Sequence, residues 1–378
     1  MSDVDLEILC HCHLRWDWVW QRPQHVLSRL ARRHRITLEE EPVIDDRPPG
    51  LDIRRVAGNV TVLTPHRRPD DEVDFGALVD RYVIGRQSAR ALVRWFYSPM
   101  FASRPQRLAD PSEVVVYDCM DELSGFAGCP AELPELERRL LARADVVFTG
   151  GKAIWEAKRK HRADAHCFPS AVEASHFARA GDPDVAVPAD IAGLPRPIAG
   201  YYGVIDERID YRLLESLAGD PRIGAVVMVG PTAKVDAAAL PRHPKLHFVG
   251  KRSYAELPAY LKGFDAAIMP FAINEATAHI SPTKTLEYMA AGKPVVSTPV
   301  RDVVRNHGDL VAIAETAERF ADEVAAAAAP GGHPARKADA ARRRARENSW
   351  DALAERMAGL LADALHRRNG CRSNGFAI

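Results

Sequence analysis

Lys284 and Glu287 are three residues apart, which places them about one turn from each other if their segment is helical. The surrounding sequence predicts such a helix. Ser281 is a typical N-cap, Pro282 suits the first helical position, and Gly292 suits the C′ position that ends a helix. Because a strand-like apolar run follows, we expect the N-terminus of this helix to open at one edge of a sheet.

The start of this helix has the chemistry of an anion site. Backbone N–H groups at Thr283 and Lys284, the positive end of the helix dipole and the Lys284 ammonium would together suit a diphosphate. The carboxylate of Glu287 only accepts hydrogen bonds, and it can take two from a ribose diol. An ordinary capped helix would have the same pattern, so the pattern alone leaves both interpretations open.

Short apolar runs alternate with amphipathic stretches in both halves of the chain, which predicts an α/β fold with parallel sheets. Helices are expected to start near Pro23 and Pro134, and a stripe of apolar residues predicts a last helix from Trp350. The expected strands are 6–10, 60–63, 94–97, 114–117 and 146–149 in the first half, and 225–229, 246–249, 266–269 and 294–297 in the second.

The chain has 378 residues, of which 47% are hydrophobic, enough for two domains with separate cores. A stretch rich in Pro, Gly, Asp and Ala divides them. The expected organisation is an N-terminal domain at 1–172, a linker at 173–196, a C-terminal domain at 197–345, a terminal helix at 346–367 and a tail at 368–378.

Composition excludes several classes of function. The 51 basic and 51 acidic residues leave no net charge, so nucleic acid is not an expected partner. The N-terminus does not resemble a signal peptide, and we expect a cytoplasmic protein with reduced cysteines. Cys10 and Cys12 alternate with His11 and His13, but alternation along a strand points the two residue types to opposite faces, so zinc is not expected.

The segment Thr285-Leu-Glu-Tyr-Met-Ala-Ala-Gly-Lys-Pro-Val-Val296 resembles the donor-site signature of bacterial group 1 glycosyltransferases of the GT-B fold. The resemblance extends over nearly the whole C-terminal half. In the N-terminal half, two segments are similar to a subset that includes teichuronic-acid-type polysaccharide transferases. The further matching segments are Gly200–Gly203, Leu246–Gly250, Tyr254–Tyr260 and Asp265–Pro270 in the C-terminal half, and Trp16–Gln24 and Tyr117–Asp121 in the N-terminal half.

The resemblance implies two Rossmann-like domains, with the nucleotide-sugar donor in the C-terminal one and a last helix that crosses back to the N-terminal domain. It implies transfer of a sugar from a nucleoside diphosphate, UDP first, to a glycan, a lipid carrier or a small molecule, without a metal or another cofactor. A peripheral contact with the inner face of a membrane is an alternative, because Arg342, Arg343, Arg344 and Arg346 form a basic run. A solvated helix face explains that run equally well.

The donor side departs from the family pattern at two places. His279 stands where many members have a second glutamate, so Asn274, Glu275 and Thr277 become the expected contacts to the donor sugar. Val204 follows Gly203 where the family has a phosphate-binding arginine. Arg208 and Lys251 are the candidates to replace that arginine, and the competing interpretation of Arg208 is a surface pair with Asp206.

The acceptor side is expected at the carboxyl ends of the N-terminal strands. Three tryptophans in five positions, at 16, 18 and 20, suggest apolar platforms for a sugar ring or a lipid carrier. Trp16 is the first candidate, with Asp17, Gln21 and Arg22 as polar contacts, although core packing explains at least one tryptophan.

Asp121 and Asp118 follow another apolar strand and are the candidate general bases, Asp121 first. A base is needed only if the reaction inverts the anomeric centre, and helix capping is the competing role for both residues. The sequence leaves the stereochemical outcome, the donor sugar and the acceptor open. A GT-B sugar-nucleotide epimerase and a noncatalytic sugar-nucleotide binding protein remain the alternatives to a transferase.

Overall fold

A computed structural model describes residues 5–85, 91–103, 113–126 and 128–373. These residues form two units. The first unit contains the chain up to Phe168 and again from Asp351 onward, and the second contains Pro169 to Trp350. The segment expected to be a linker, 173–196, lies inside the second unit.

The first unit is built on a sheet whose strands pair in parallel, except that β4 pairs with β5 antiparallel. The order is β3-β5-β2-β1-β6-β7-β8-β9. The chain moves outward from β1 in one direction and then restarts beside it at β6, so the carboxyl ends of these two strands form a topological switch point. The strands are β1 (Leu6–Cys12), β2 (Arg35–Glu40), β3 (Val43–Ile44), β4 (Gly50–Ala57), β5 (Val60–Arg67), β6 (Ala91–Phe96), β7 (Val114–Cys119), β8 (Val146–Thr149) and β9 (His166–Cys167).

Helices cover the first sheet. The apolar side chains of the first helix, Val26, Leu27 and Leu30, are buried. The helices are α1 (Arg22–Leu30), α2 (Phe75–Ile84), α3 (Leu133–Arg143) and α4 (Lys152–Lys158), with a 3₁₀ turn at Leu123–Gly125.

The second unit has a fully parallel sheet in the order β12-β11-β10-β13-β14-β15. Read along the chain, this is the 3-2-1-4-5-6 order of nucleotide-binding Rossmann folds, and its switch point lies between β10 and β13. Near-continuous apolar runs such as Ala225–Val229 form the strands because both faces are covered. The strands are β10 (Ile198–Tyr202), β11 (Ala225–Val229), β12 (Leu246–Gly250), β13 (Ala266–Met269), β14 (Val295–Ser297) and β15 (Ala312–Ile313).

The first helix of the second unit begins at Ala174. Phe177 and Ile191, which lie in the segment expected to be a linker, are fully buried in the core of this unit. The segment is therefore part of the domain. The helices are α5 (Ala174–Ala178), α6 (Ala189–Ala192), α7 (Tyr211–Gly219), α8 (Leu257–Gly263), α9 (Thr283–Ala290), α10 (Arg301–His307), α11 (Ala317–Ala328) and α12 (Ala335–Glu347), with a 3₁₀ turn at Glu275–Thr277.

The last helix, α13 (Trp350–Ser373), returns the chain to the first unit. Its apolar stripe is buried there, with Met357 and Leu361 fully enclosed. Arg368 binds Asp145 at 2.8 Å, and Asp351 binds Arg29 at 3.1 Å. The expected crossing helix is thus confirmed.

The basic run of α12 contacts its own surroundings. Arg342 binds Asp339 at 3.0 Å, and Arg344 binds the Asn306 carbonyl at 2.8 Å and Asp309 at 3.0 Å. No helix within the described ranges is long and apolar enough to cross a bilayer. Half of the arginines in the run therefore have partners within the protein.

Candidate functional site

Three neighbouring strands of the second sheet are each followed or ended by a glycine in a conformation that side chains disfavour. The φ angles are +141° at Gly203, +148° at Gly230 and +83° at Gly250. A Cβ on Gly230 would clash with the Gly203 carbonyl oxygen, so the backbone segments after β10 and β11 approach closely. At these three glycines the carboxyl edge of the sheet, beside the switch point, presents backbone atoms without a Cβ.

The Lys284 side chain lies against this surface. A Cβ on Gly203 would come within 2.7 Å of the Lys284 Nζ and would overlap its neighbouring carbon. The same ammonium lies 5.6 Å from the centre of the Tyr201 ring. The sequence motif on α9 and the glycine after β10 therefore meet in space, which places a cation over the carboxyl end of the central strand.

The helix that carries Lys284 starts one residue later than expected. Pro282 is the N-cap and Thr283 the first helical residue, whereas Ser281 was expected to cap and Pro282 to begin the helix. The carbonyl of Ser281 instead accepts a hydrogen bond of 2.9 Å from the Ser170 hydroxyl. Proline fits either position, since both tolerate the missing N–H. The expected end is confirmed, because Gly292 has φ +70° just after the C-cap.

The Glu287 carboxylate is buried one turn beyond Lys284, with 6% of the residue exposed. The Tyr202 hydroxyl, at the end of β10, donates a 2.8 Å hydrogen bond to its Oε2. Burial raises the pKa of Glu287, while Lys284, the Tyr202 hydroxyl and Thr283 act in the opposite direction. The site thus contains a desolvated acceptor next to a cation.

Arg208 is held by Asp206. Its guanidinium binds both carboxylate oxygens, at 2.6 Å and 3.0 Å, and Asp206 is 5% exposed. Arg208 therefore pairs with Asp206 as the competing interpretation expected, although Asp206 is buried and does not lie on the surface. To bind a phosphate, Arg208 would have to be shared between that phosphate and Asp206. Lys251 is exposed in the loop after β12.

Two of the three residues expected to contact the donor sugar, Asn274 and Thr277, form hydrogen bonds with each other within one turn. The Asn274 side chain accepts from the Thr277 amide at 3.2 Å, and the Thr277 hydroxyl accepts from the Asn274 amide at 3.0 Å. Thr277 is buried and also donates to the Ala272 carbonyl. Hydrogen bonds between Asn274 and Thr277 shape the loop after β13, and Ile273, Asn274 and Glu275 are exposed on that loop.

The tryptophan loop follows β1 at the switch point of the first sheet. Trp16 is buried and is not the exposed platform that was expected, whereas Trp18 and Trp20 are 37% and 36% exposed. The Trp16 amide donates to Glu40 at 2.7 Å, and its carbonyl accepts from Gln24 at 2.9 Å. These bonds fix the backbone of the loop at Trp16, and the indoles of Trp18 and Trp20 remain at the surface.

The polar residues expected beside these tryptophans serve other contacts. Asp17 binds Arg54 at 2.6 Å. The backbone N–H of Gln21 donates to the side-chain oxygen of Gln24 in the cap of α1. Arg22 is 4% exposed and binds Asp118 at 2.9 Å and the Phe168 carbonyl at 2.8 Å. Arg22 thus binds inside the first unit and is not positioned as an acceptor contact.

Asp118 is fully buried against Arg22, so neither water nor an acceptor hydroxyl reaches its carboxylate. The expectation that it serves as second base is therefore wrong on steric and electrostatic grounds. Asp121 lies past the end of β7 and is half-buried. Glu122, not Asp121, occupies the cap position of the following 3₁₀ turn, so the structure does not assign that competing role to Asp121.

Sequence reasoning missed Tyr201 and Tyr202. Both were visible in the motif Gly200-Tyr-Tyr-Gly203, and strand alternation would have pointed them to opposite faces of the sheet. One contacts Lys284 and the other contacts Glu287. Their partners are more than 80 residues away in sequence, which is why local patterns give no signal of them.

Comparisons with known proteins agree with this geometry. Residues 214–329 match the family model described as glycosyl transferases group 1. A putative teichuronic acid biosynthesis glycosyltransferase, TuaH of Bacillus subtilis, is 27% identical over 201 residues, which is 49% of this chain and 50% of that protein. The matched part thus spans half the length of that relative.

Among solved structures, sucrose-phosphate synthase of Thermosynechococcus elongatus superposes with a TM-score of 0.72 at 15% identity, over 95% of this chain and 98% of that one. Anabaena HepE in complex with UDP superposes with a TM-score of 0.62 at 14% identity, over 95% of this chain and all of that one. At such identities the likeness shows the fold, which is GT-B. Residues 214–329 thus form a domain that matches the group 1 glycosyltransferase family.

Proposed function

We propose that this protein transfers a glycosyl group from a UDP-linked sugar to an acceptor hydroxyl. The single observation that carries the proposal is the pairing on α9 of Lys284, packed against Gly203, with the buried carboxylate of Glu287. Together they offer a cation and a hydrogen-bond acceptor one turn apart at a topological switch point. A nucleoside diphosphate has the complementary groups, an anion and a diol.

The diphosphate would bind at the start of α9. The amides of Thr283 and Lys284 belong to the first helical turn, where N–H groups have no carbonyl four residues earlier within the helix. Together with the helix dipole and the Lys284 ammonium, they would stabilise the negative charge that grows on the departing nucleotide. In this proposal the protein supplies that positive charge itself, and transfer requires no metal.

The ribose would bind Glu287. An ionised carboxylate accepts hydrogen bonds and donates none, which suits two adjacent hydroxyl groups. The choice of UDP is supported by the UDP bound in HepE, a protein of the same fold. Lys251 and Glu275 are further exposed candidates for contacts to the nucleotide and to the donor sugar.

The acceptor would bind the first unit, where Trp18 and Trp20 present exposed indole faces. Apolar ring faces pack on indoles, so a glycan or a lipid-linked sugar is the favoured class of acceptor. The similarity to a teichuronic acid biosynthesis protein supports a role in polysaccharide assembly. If the reaction inverts the anomeric centre, Asp121 takes the acceptor proton.

A noncatalytic sugar-nucleotide binding protein is the second candidate. The bidentate pair of Arg208 with Asp206 favours it, because the expected replacement for a phosphate-binding arginine is already neutralised. Such a protein would bind UDP-sugars and leave them intact.

Nucleotide binding in EDTA tests the donor site. We expect UDP to bind the full chain, measured by titration calorimetry, and Lys284→Ala to weaken it roughly tenfold or more, as loss of a charged hydrogen bond does. Lys160→Ala, which removes an exposed lysine of the first unit, is the matched control and should bind like the wild type. Binding of UDP that requires added magnesium or manganese would contradict the proposed metal-free site.

A further inference from the structure

Tyr202 is a tyrosine at the end of β10 whose side chain contacts the Glu287 carboxylate. Its hydroxyl donates a 2.8 Å hydrogen bond to Glu287 Oε2, and both residues are buried, at 3% and 6% exposure. Burial and the charge of Glu287 raise the pKa of Tyr202 well above its usual value. The phenol therefore stays protonated and donates to the carboxylate.

Two neighbouring aromatic rings, those of Phe177 and Tyr288, pack against the ring of Tyr202. The backbone amide of Tyr202 donates to the Tyr288 hydroxyl at 3.1 Å. The rings of Tyr202 and Tyr288 also meet edge to face, with their centres 5.0 Å apart. The ring of Phe177 in α5 lies nearly parallel to the Tyr202 ring, with the ring centres 6.1 Å apart and an angle of 5° between the planes. A hydroxyl on so constrained a ring points in one direction.

This fixed donor constrains what Glu287 can do. A carboxylate has about four acceptor sites, and Tyr202 occupies one of them on Oε2. Together with a hydrogen bond from the Thr283 side chain, this bond holds the carboxylate in one orientation. A group that is already ordered loses less entropy when it binds a ligand.

We propose that Tyr202 is a positioning residue, which orients Glu287 so that the site selects ribose over 2′-deoxyribose in the nucleoside diphosphate. The inference rests on the proposed function, because it assigns the ribose to Glu287. A carboxylate locked in place forms both hydrogen bonds to a diol, and a missing 2′-hydroxyl leaves a buried acceptor without its partner.

The test compares UDP with 2′-deoxy-UDP on the full chain by titration calorimetry. The wild type should prefer UDP by roughly tenfold or more, since an unpaired charged acceptor is costly. Tyr202→Phe should lower this ratio by about threefold to tenfold while the melting temperature reports folding. Tyr260→Phe is the matched control, because it removes a hydroxyl from another buried tyrosine of the second unit, one that donates to the Asp190 carboxylate at 2.7 Å. Its ratio should equal that of the wild type.

A wild-type ratio in Tyr202→Phe overturns the inference and leaves the donor site intact. Absence of UDP binding to the wild type would instead overturn the proposed function. If Tyr202→Phe does not fold, the double variant Tyr202→Phe/Glu287→Gln provides the test. Its ratio should equal that of Glu287→Gln alone, because Tyr202 acts through the carboxylate, and a further fall would contradict this.

Discussion

Glu287, the proposed ribose ligand, illustrates how a buried carboxylate can lower the stability of its own fold. Its pKa is raised in the folded protein, chiefly by burial. A raised carboxyl pKa means that folding favours the protonated form. The resulting stabilisation is full below the usual glutamate pKa and is lost as the pH rises through the raised value. At neutral pH the ionised carboxylate therefore reduces the free energy of unfolding.

Replacing this carboxylate should separate binding from stability. Glu287→Gln should weaken UDP binding by roughly tenfold to a hundredfold, since an amide offers an N–H where the ribose needs an acceptor. Its melting temperature at pH 7 should equal or exceed that of the wild type, and the difference should shrink as the pH is lowered. Glu215→Gln, on the exposed face of α7, is the matched control. A Glu287→Gln variant with wild-type affinity would remove Glu287 from the site.

Asp121 is tested by kinetics. If it takes the acceptor proton, Asp121→Asn should lower kcat by roughly two to four orders of magnitude, with UDP affinity and melting temperature unchanged. Glu132→Gln, at the exposed start of α3, should leave all three unchanged. Near-normal turnover by Asp121→Asn would show that the residue is not a base and would favour a retaining mechanism.

Local patterns were enough to predict that Lys284 and Glu287 lie about one turn apart on a helix, because that placement follows from helix spacing. They were not enough for Arg22 and Asp118, which lie 96 residues apart and neutralise each other in the core. Asp118, a candidate base, and Arg22, a candidate acceptor contact, thus form a salt bridge with each other. Pairings of this kind depend on which strands and helices meet, and the sequence of one segment does not contain that information.

At the level of elements, the turn after β10 requires glycine at position 203. Gly203→Ala should destabilise the protein by about 1–3 kcal/mol, because φ is +141° there, and should also weaken UDP binding, because the new Cβ displaces Lys284. Gly219→Ala, at the end of α7, is the control, since no atom lies within 4 Å of its added Cβ. Calorimetric titration and thermal unfolding measure both effects, and unchanged UDP affinity in a folded Gly203→Ala protein would contradict the placement of the diphosphate.

Strand β2 was not predicted, because Arg35–Glu40 reads as a charged surface segment. Its carboxylates are buried by distant partners. Glu39 binds His11 at 2.7 Å, and Glu40 binds the Trp16 amide at 2.7 Å and the Thr64 hydroxyl at 2.8 Å. Buried charges are tolerated when they are paired in this way, and period and propensity alone do not reveal the pairs.

For the molecule as a whole, the expected doubly wound architecture is confirmed. Alternating apolar runs were sufficient for the fold class because parallel strands covered on both faces read as continuous hydrophobic segments. In each unit some of the candidate residues follow strands next to the switch point: the tryptophan loop after β1, and Gly203 with the Asn274 loop after β10 and β13. The functional division, donor in the second unit and acceptor in the first, is a prediction from that placement.

Release of UDP from UDP-linked sugars by the full chain, measured in EDTA with and without a glycan acceptor, tests the central claim most directly. The account predicts UDP release that an acceptor accelerates, that Glu215→Gln retains and that Glu287→Gln loses by about tenfold or more. A wild-type protein that binds UDP-sugars and never releases UDP would contradict it and establish the binding-protein alternative.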